Sequence, residues 1–392
     1  MVKRENGMNY KERLLTPGPT PIPLRVLQAM ERPLLHHRSD VFKQELRKAA
    51  EGMRWLCGWD SDPIFLASSG TGAMEAAVLN TCKPGDEIIT VNGGAFGARW
   101  KSIGERLGLV VHELVVQWGC GVSVEQTKDF VLAHPKARAF CVQHSETSTT
   151  ALHPLNDVLP EVKRLAPNML TIVDGISSCA TTPMPGTPVT IDIYIAGSQK
   201  AFMLPPGLSM VLLSKNAWTA VEETPKRTLY FDLEKERKSL LSGETSWTPA
   251  STIIVGLNTA IEIFKEEGLE NIYKRHALLA RIAREGLSAL GCSIVAPTAP
   301  GTSVTGFYPP QSVEADTLRS EVRKRFAIRL AGGQGKLTGE IVRVGHMGHV
   351  DPFEVMNAVV AIGLTAKILG ASVDIEKASA VCLELIGNDL KN

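Results

Sequence analysis

The chain has 392 residues, more than one hydrophobic core usually serves, so two domains are the default expectation. Hydrophobic residues make up 44% and charged residues 21%, the balance of an ordinary soluble globular protein. A formal net charge of +1 leaves no electrostatic footprint for nucleic acid or an anionic membrane, so the expected partner is a small molecule.

The opening MVKRENGMNYKERL is polar and lacks the apolar stretch of a secretory leader. No run of about 18 uncharged apolar residues follows, so no spanning helix is expected. The seven cysteines (Cys57, Cys82, Cys120, Cys141, Cys179, Cys292 and Cys382) are scattered and form no CxxC pair. Their spacing suits neither a metal site nor a disulfide framework; reduced thiols in a cytoplasmic protein without metal are expected.

The turn-rich Thr16-Pro17-Gly18-Pro19-Thr20-Pro21 cannot continue a helix and predicts an extended lead-in over residues 1–20. From about residue 60, short apolar runs at 64–68, 87–91, 109–116, 137–144, 170–174, 191–197 and 208–213 have the length of buried strands. Helix-length segments at 73–80, 100–107 and 124–133 lie between several of them. Strand–helix–strand repetition predicts an α/β large domain over 21–252, a mostly parallel sheet sandwiched by helices. After Pro249 the pattern changes. Helical spacing over 253–265 and 269–290 leads to strands at 292–296, 303–308, 328–331 and 341–345, with helices at 314–326 and 353–369. This predicts a smaller α+β domain over 253–392.

In a parallel α/β sheet ligands sit beyond the carboxyl ends of the strands, which selects the polar residues that matter. The first group is Ser68-Ser69-Gly70-Thr71-Gly72, a glycine-flanked turn that opens a helix. Free N–H groups and the helix dipole suit a phosphate there, although such turns are often purely structural. It is not a P-loop, because no Gly-Lys-Ser/Thr follows. The second group is Asp174, at the mouth of the strand run 170–174, where it either caps the next helix or faces a ligand. The third is Gly197-Ser198-Gln199-Lys200-Ala201. A lysine between small residues at a strand end is unusual, and desolvation there yields the neutral amine that Schiff-base chemistry needs. The fourth is Arg343 between valines, either half of a structural ion pair or a fork for a carboxylate. Each signal alone has a bland reading. Together they provide a phosphate cradle, an acid for a pyridine nitrogen, an amine for an aldehyde and a cation for a substrate carboxylate, the set that pyridoxal phosphate (PLP) chemistry requires.

Gly197-Ser198-Gln199-Lys200-Ala201, with the following Pro205-Pro206-Gly207, resembles the lysine motif of class V aminotransferases. The similarity runs from Leu15-Thr16-Pro17-Gly18-Pro19 to Arg343-Val344-Gly345-His346-Met347-Gly348 and leans to the alanine–glyoxylate and serine–pyruvate (serine–glyoxylate) branch. The resemblance implies PLP fold type I and a homodimer with shared active sites. It implies Lys200 as the Schiff-base lysine and Asp174 as partner of the ring nitrogen. Ser69, Gly70, Thr71 and Gln199 should lie around the phosphate, Phe96 against the ring where the family often has tryptophan, and Thr147 beside it. Thr245 and Thr248 match positions that reach the neighbouring subunit's phosphate, with Thr245 standing where the family often has tyrosine. Arg343 matches the arginine that binds the substrate carboxylate. The implied reaction is transamination of serine or alanine with glyoxylate or pyruvate. Aspartate and ureidoglycine remain open as donors, and cysteine desulfuration and a non-enzymatic subunit stand as alternatives. Desulfuration needs a thiol on a mobile loop, and the candidate loop 331–338 contains no cysteine.

Overall fold

The computed structural model describes residues 2–3, 9–186 and 189–391. Parts of the expected lead-in, residues 1 and 4–8, therefore lie outside the described residues. The centre is a sheet of seven strands: β1 (Ile64–Leu66), β2 (Glu87–Asn92), β3 (Val110–Val115), β4 (Ala139–Gln143), β5 (Leu170–Asp174), β6 (Ile193–Gly197) and β7 (Ser209–Leu213). Their spatial order is β1-β7-β6-β5-β4-β2-β3. β4, β5, β6 and β7 are buried along their whole length, which is why they read as unbroken apolar runs. β7 runs antiparallel to both β6 and β1, and the remaining contacts are parallel. The reason is local. Between β6 and β7 lies a compact turn braced by Ser198, whose N–H donates to Leu208 O (2.9 Å) and whose Oγ donates to Pro205 O (2.7 Å). A parallel crossover needs a dozen or more residues, so this connection reverses the chain and holds Lys200 inside the turn.

Helices cover both faces of the sheet. Gly70–Thr81 packs its alanines onto one face, in a core with Ile64, Ile88, Ile172 and Ile195. On the other face, Asp40–Cys57 and Ser251–Glu267 pack together over Phe140, Val142 and Val173. No helix was expected at Asp40–Cys57, although Phe42, Leu46, Ala49, Ala50 and Met53 recur at helical spacing along its buried face and charges line the other. Its ends are well marked. Ser39 Oγ accepts from Phe42 N–H (3.3 Å), and Gly58 stops it in the left-handed region at φ 59°.

The second core is built on helices Leu269–Ala289, Ala315–Phe326, Pro352–Ile368 and Ile375–Asp389. These flank an antiparallel sheet of β8 (Ser293–Ile294), β9 (Val304–Tyr308), β10 (Ala331–Gly332) and β11 (Val342–Gly345), ordered β8-β9-β11-β10. Helix Ser251–Glu267 spans the expected 252/253 boundary, yet its Ile254, Leu257, Ile261 and Phe264 belong to the large core; apart from Leu15, the buried residues of the small core begin at Leu279. The lead-in is likewise tied down. Arg13–Leu14 pairs in parallel with Ile328–Arg329, Leu15 is buried in the small core, and Leu15 O accepts from Gly345 N–H (2.8 Å). A side chain at Gly345 would collide with the carbonyl of Thr16, so the Arg-Val-Gly motif needs glycine where the lead-in crosses it.

Candidate active site

The carboxyl ends of β1, β2, β4, β5 and β6 open on one side of the sheet and carry most of the polar residues singled out from the sequence. Lys200 lies in the turn after β6 and is 9% exposed. Its Nζ donates to Pro17 O, and its own carbonyl accepts from Thr20 Oγ1 (2.7 Å), so the lead-in crosses the site. Gly18 permits this approach: a Cβ there would lie 2.8 Å from Nζ, and its φ of 112° is unfavourable for other residues. Burial pushes the Lys200 amine down to about 8; Asp174 pulls it back up, while Arg343 and Arg99 lower it further. Asp174 closes β5 and is buried, its Oδ1 accepting from Ile176 N–H (2.8 Å). Burial raises this carboxyl to about 6 against that hydrogen bond; Glu146 adds to the rise, and Lys200 and Arg99 oppose it. A buried acid and a buried amine thus lie within electrostatic reach of each other.

The phosphate-type turn is a neighbour. Ser69 is the N-cap of helix Gly70–Thr81, but its side chain makes no cap hydrogen bond, and the helix start leaves the N–H groups of Gly70 and Thr71 without intrahelical acceptors. The side chain of Ile176 lies against both Gly70 and Gly197, packing this turn next to the lysine turn. Gln199 completes the group with a buried Oε1 that has no hydrogen-bond partner among the described residues.

Arg343 on β11 closes the site from the small domain. Its Nε donates to Gly332 O and its Nη1 to Thr147 O, both at 2.8 Å. Burial lowers it to about 10. No carboxylate among the described residues pairs with it, so the structural ion pair left open by the sequence is not formed. Thr147 is buried, and its Oγ1 donates to Ser177 Oγ (2.7 Å) in the turn after Asp174.

Two charged residues in this site were not assigned a role from the sequence. Glu146 is fully buried and accepts from the N–H groups of Gly97 (2.8 Å), Phe96 (3.3 Å) and Ser148 (3.2 Å) and from Ser148 Oγ. Burial raises its carboxyl, while these donors hold it down. It fixes the loop that presents Phe96, and a side chain at Gly94 would strike it. Arg99, one turn beyond Phe96, donates from Nη1 to Thr71 Oγ1 at 2.6 Å. An acid amid the hydroxyl run His144–Thr150 was the signal for Glu146. Arg99 resembled any helix-surface arginine. Thr245 and Thr248 are not brought to this site within one chain. Thr245 Oγ1 donates to Trp247 O (2.7 Å), Thr248 is exposed, and their segment packs on helix Leu233–Leu241 through Ser246 N–H to Glu236 (3.1 Å).

Away from the site, Glu87, His112 and His134 gather three potential metal-ligand atoms. The two imidazoles stack at 3.7 Å and 19°, so their lone pairs run side by side, and His112 already pairs with Glu87 at 2.9 Å.

Residues 13–345 match the family described as aminotransferase class-V. The chain belongs to that family. It is an aminotransferase, and pyridoxal phosphate is its cofactor. A protein named the small subunit of a soluble hydrogenase, from a Synechococcus strain, is 35% identical over 93% of this chain and 95% of its own. A serine–glyoxylate aminotransferase of Methylorubrum extorquens is 32% identical over 91% of this chain and 90% of its own. The crystal structure of a Thermus thermophilus aspartate aminotransferase of subgroup IV matches with a TM-score of 0.85 at 29% identity, covering 91% of this chain and all of that one.

The residues present fit the cofactor. The unused Ser69 hydroxyl and the free first-turn N–H groups suit a phosphate, toward which Gln199, its Oε1 unpartnered, can turn its side-chain amide N–H, and the raised Asp174 carboxyl suits a protonated ring nitrogen. Lys200 provides an amine whose depressed pKa favours reaction with an aldehyde.

Proposed function

We propose that this aminotransferase moves the amino group of a small amino acid, serine or alanine, to glyoxylate or pyruvate. The carrying observation is the convergence of Lys200, Asp174 and Arg343 in one buried site, the arginine without an acidic partner. The serine–glyoxylate relative supports the choice of substrates. The lead-in across Lys200 narrows the site and favours short side chains.

When bound, pyridoxal phosphate supplies an aldehyde and an electron-accepting ring. Ser69, Gly70, Thr71 and Gln199 would hold the phosphate, and Phe96, Thr147 and Ser177 would line the ring. Asp174 would hold a proton on the ring nitrogen. Arg343, fixed by Gly332 O and Thr147 O, forks the substrate carboxylate with its remaining donors and so orients the Cα–H bond. Lys200 Nζ, as a neutral amine, would take the Cα proton and later return it. The same residues serve the keto acid in reverse.

We further propose a homodimer in the cytoplasm. Exposed Leu34 and Leu241 lie on segments joined by the ion pairs of Glu244 with Arg38 and Lys43, and exposed Leu229 and Tyr230 lie on a segment whose Tyr230 O accepts from Trp247 Nε1, a surface suited to a second copy. Of the two threonines beside that surface Thr248 is exposed and Thr245 is buried, and both would serve the partner's phosphate. The seven free thiols suit a reducing compartment.

Desulfuration has no support: Cys292 is buried, burial raises its thiol to about 12, and the loop 331–338 offers none. The hydrogenase name belongs to its bearer, and an intact constellation here argues for catalysis.

The test is a scan of serine, alanine, aspartate and ureidoglycine against glyoxylate and pyruvate, following conversion of the cofactor to its amine form. Serine or alanine should convert it fastest, with glyoxylate or pyruvate restoring it. Faster conversion by aspartate or ureidoglycine would overturn the assignment, as would full turnover by Lys200→Ala.

A further inference from the structure

We propose that Arg99 supplies the positive charge that balances the cofactor's phosphate. This rests on the PLP reading and is independent of the choice of substrates. Ser69, Gly70, Thr71 and Gln199 offer hydroxyls, N–H groups and an amide, but no full charge. A phosphate monoester carries about −1.5 to −2 at neutral pH, and a helix start offsets only about half a charge. Of the other cations in the site, Arg343 spends its Nε and Nη1 on Gly332 O and Thr147 O, at the small-domain side. Lys200 is committed to the aldehyde.

Arg99 is placed for the role by two elements. Helix Gly97–Arg106 starts at the mouth of β2, and Glu146 fixes that start through Phe96 and Gly97. One guanidinium nitrogen donates to Thr71 Oγ1 at 2.6 Å, within the cradle itself, and the guanidinium carbon lies 4.8 Å from the centre of the Phe96 ring. Lys200 and Asp174 both feel its charge. No carboxylate among the described residues pairs with it. A partly buried guanidinium with one donor anchored and the rest unused is a half-made site for a second anion. Its anchor on the cradle hydroxyl points to the phosphate in preference to a substrate side chain.

The experiment titrates the apoenzyme with PLP and, separately, with pyridoxal, which keeps the ring and aldehyde but has no phosphate. Visible absorbance of the lysine-bound form reports binding. Arg99→Gln should weaken PLP by about 10- to 100-fold, the scale of a charge-assisted hydrogen bond, and pyridoxal by less than about threefold. Arg99→Lys should recover part of the PLP affinity. Equal losses for both ligands would reduce Arg99 to a structural residue and overturn the proposal. Unchanged PLP affinity would also overturn it, including the case in which only the KM for a dicarboxylic amino acid rises. If Arg99→Gln fails to fold, the same ratio is read from Arg99→Met, which keeps the length of the side chain and removes its charge. Binding of pyridoxal by the variants shows that the cofactor assignment stands even where the arginine assignment falls.

Discussion

Replacing Asp174 with asparagine tests the electrostatic logic of the site without the cofactor. The carboxyl is buried, and burial lifts it from the ordinary 3.8 to about 6. Ionising it inside the apoprotein therefore costs about 3 kcal/mol relative to water. The folded form binds the proton more tightly than the unfolded form. This stability is complete below pH 3.8 and is lost as the pH rises through about 6. Asparagine keeps an oxygen for Ile176 N–H but carries no charge. Apo Asp174→Asn should match the wild type near pH 4 and exceed it by up to about 3 kcal/mol at pH 8. Denaturant unfolding at fixed protein concentration, repeated from pH 4 to pH 8, measures the difference. The holoenzyme should respond in the opposite sense. Without the acid at the ring nitrogen, conversion of the cofactor to its amine form should slow by about 100-fold or more, the equivalent of about 3 kcal/mol. Parallel stability curves for the two apoproteins would refute the reasoning, because they would mean that Asp174 does not titrate where its burial requires.

The remaining predictions address the other parts of the site. With the Lys200 amine lowered to about 8, uptake of PLP by the apoenzyme should accelerate about tenfold per pH unit below 8 and level off above it, measured by stopped-flow absorbance. Arg343→Gln should raise the KM for amino and keto acids by about 10- to 100-fold, with PLP affinity little changed, as steady-state kinetics and titration would show. Gly18→Ala places a methyl group against Lys200 at a strained φ; thermal unfolding should show a loss of about 1–3 kcal/mol, and cofactor uptake should slow.

Much of the large domain was legible because its signals are local. A strand buried on both faces must be apolar throughout, so β4 to β7 stood out, and the residues at their carboxyl ends could be ranked before any contact was known. Lys200 and Asp174 were conspicuous for that reason: a charge beside an apolar run has to be accounted for. Signals that depend on a distant partner could not be read. β7 is as apolar as the parallel strands β4 to β6, and only the compact turn that holds Lys200 decides its direction. Helix Ser251–Glu267 has an apolar face that would suit either domain, and packing on Asp40–Cys57 assigns it to the large core. The same limit hid Arg99 and Glu146. An arginine in a helix and an acid in a polar run acquire their roles only when the fold carries Thr71 and the N–H groups of Phe96 and Gly97 to them. Residue type and spacing prescribe which chemistry a segment can perform. Which charges meet, and at what depth from water, is set by chain crossings far apart in sequence, and that meeting determines the acidity of Asp174 and the basicity of Lys200.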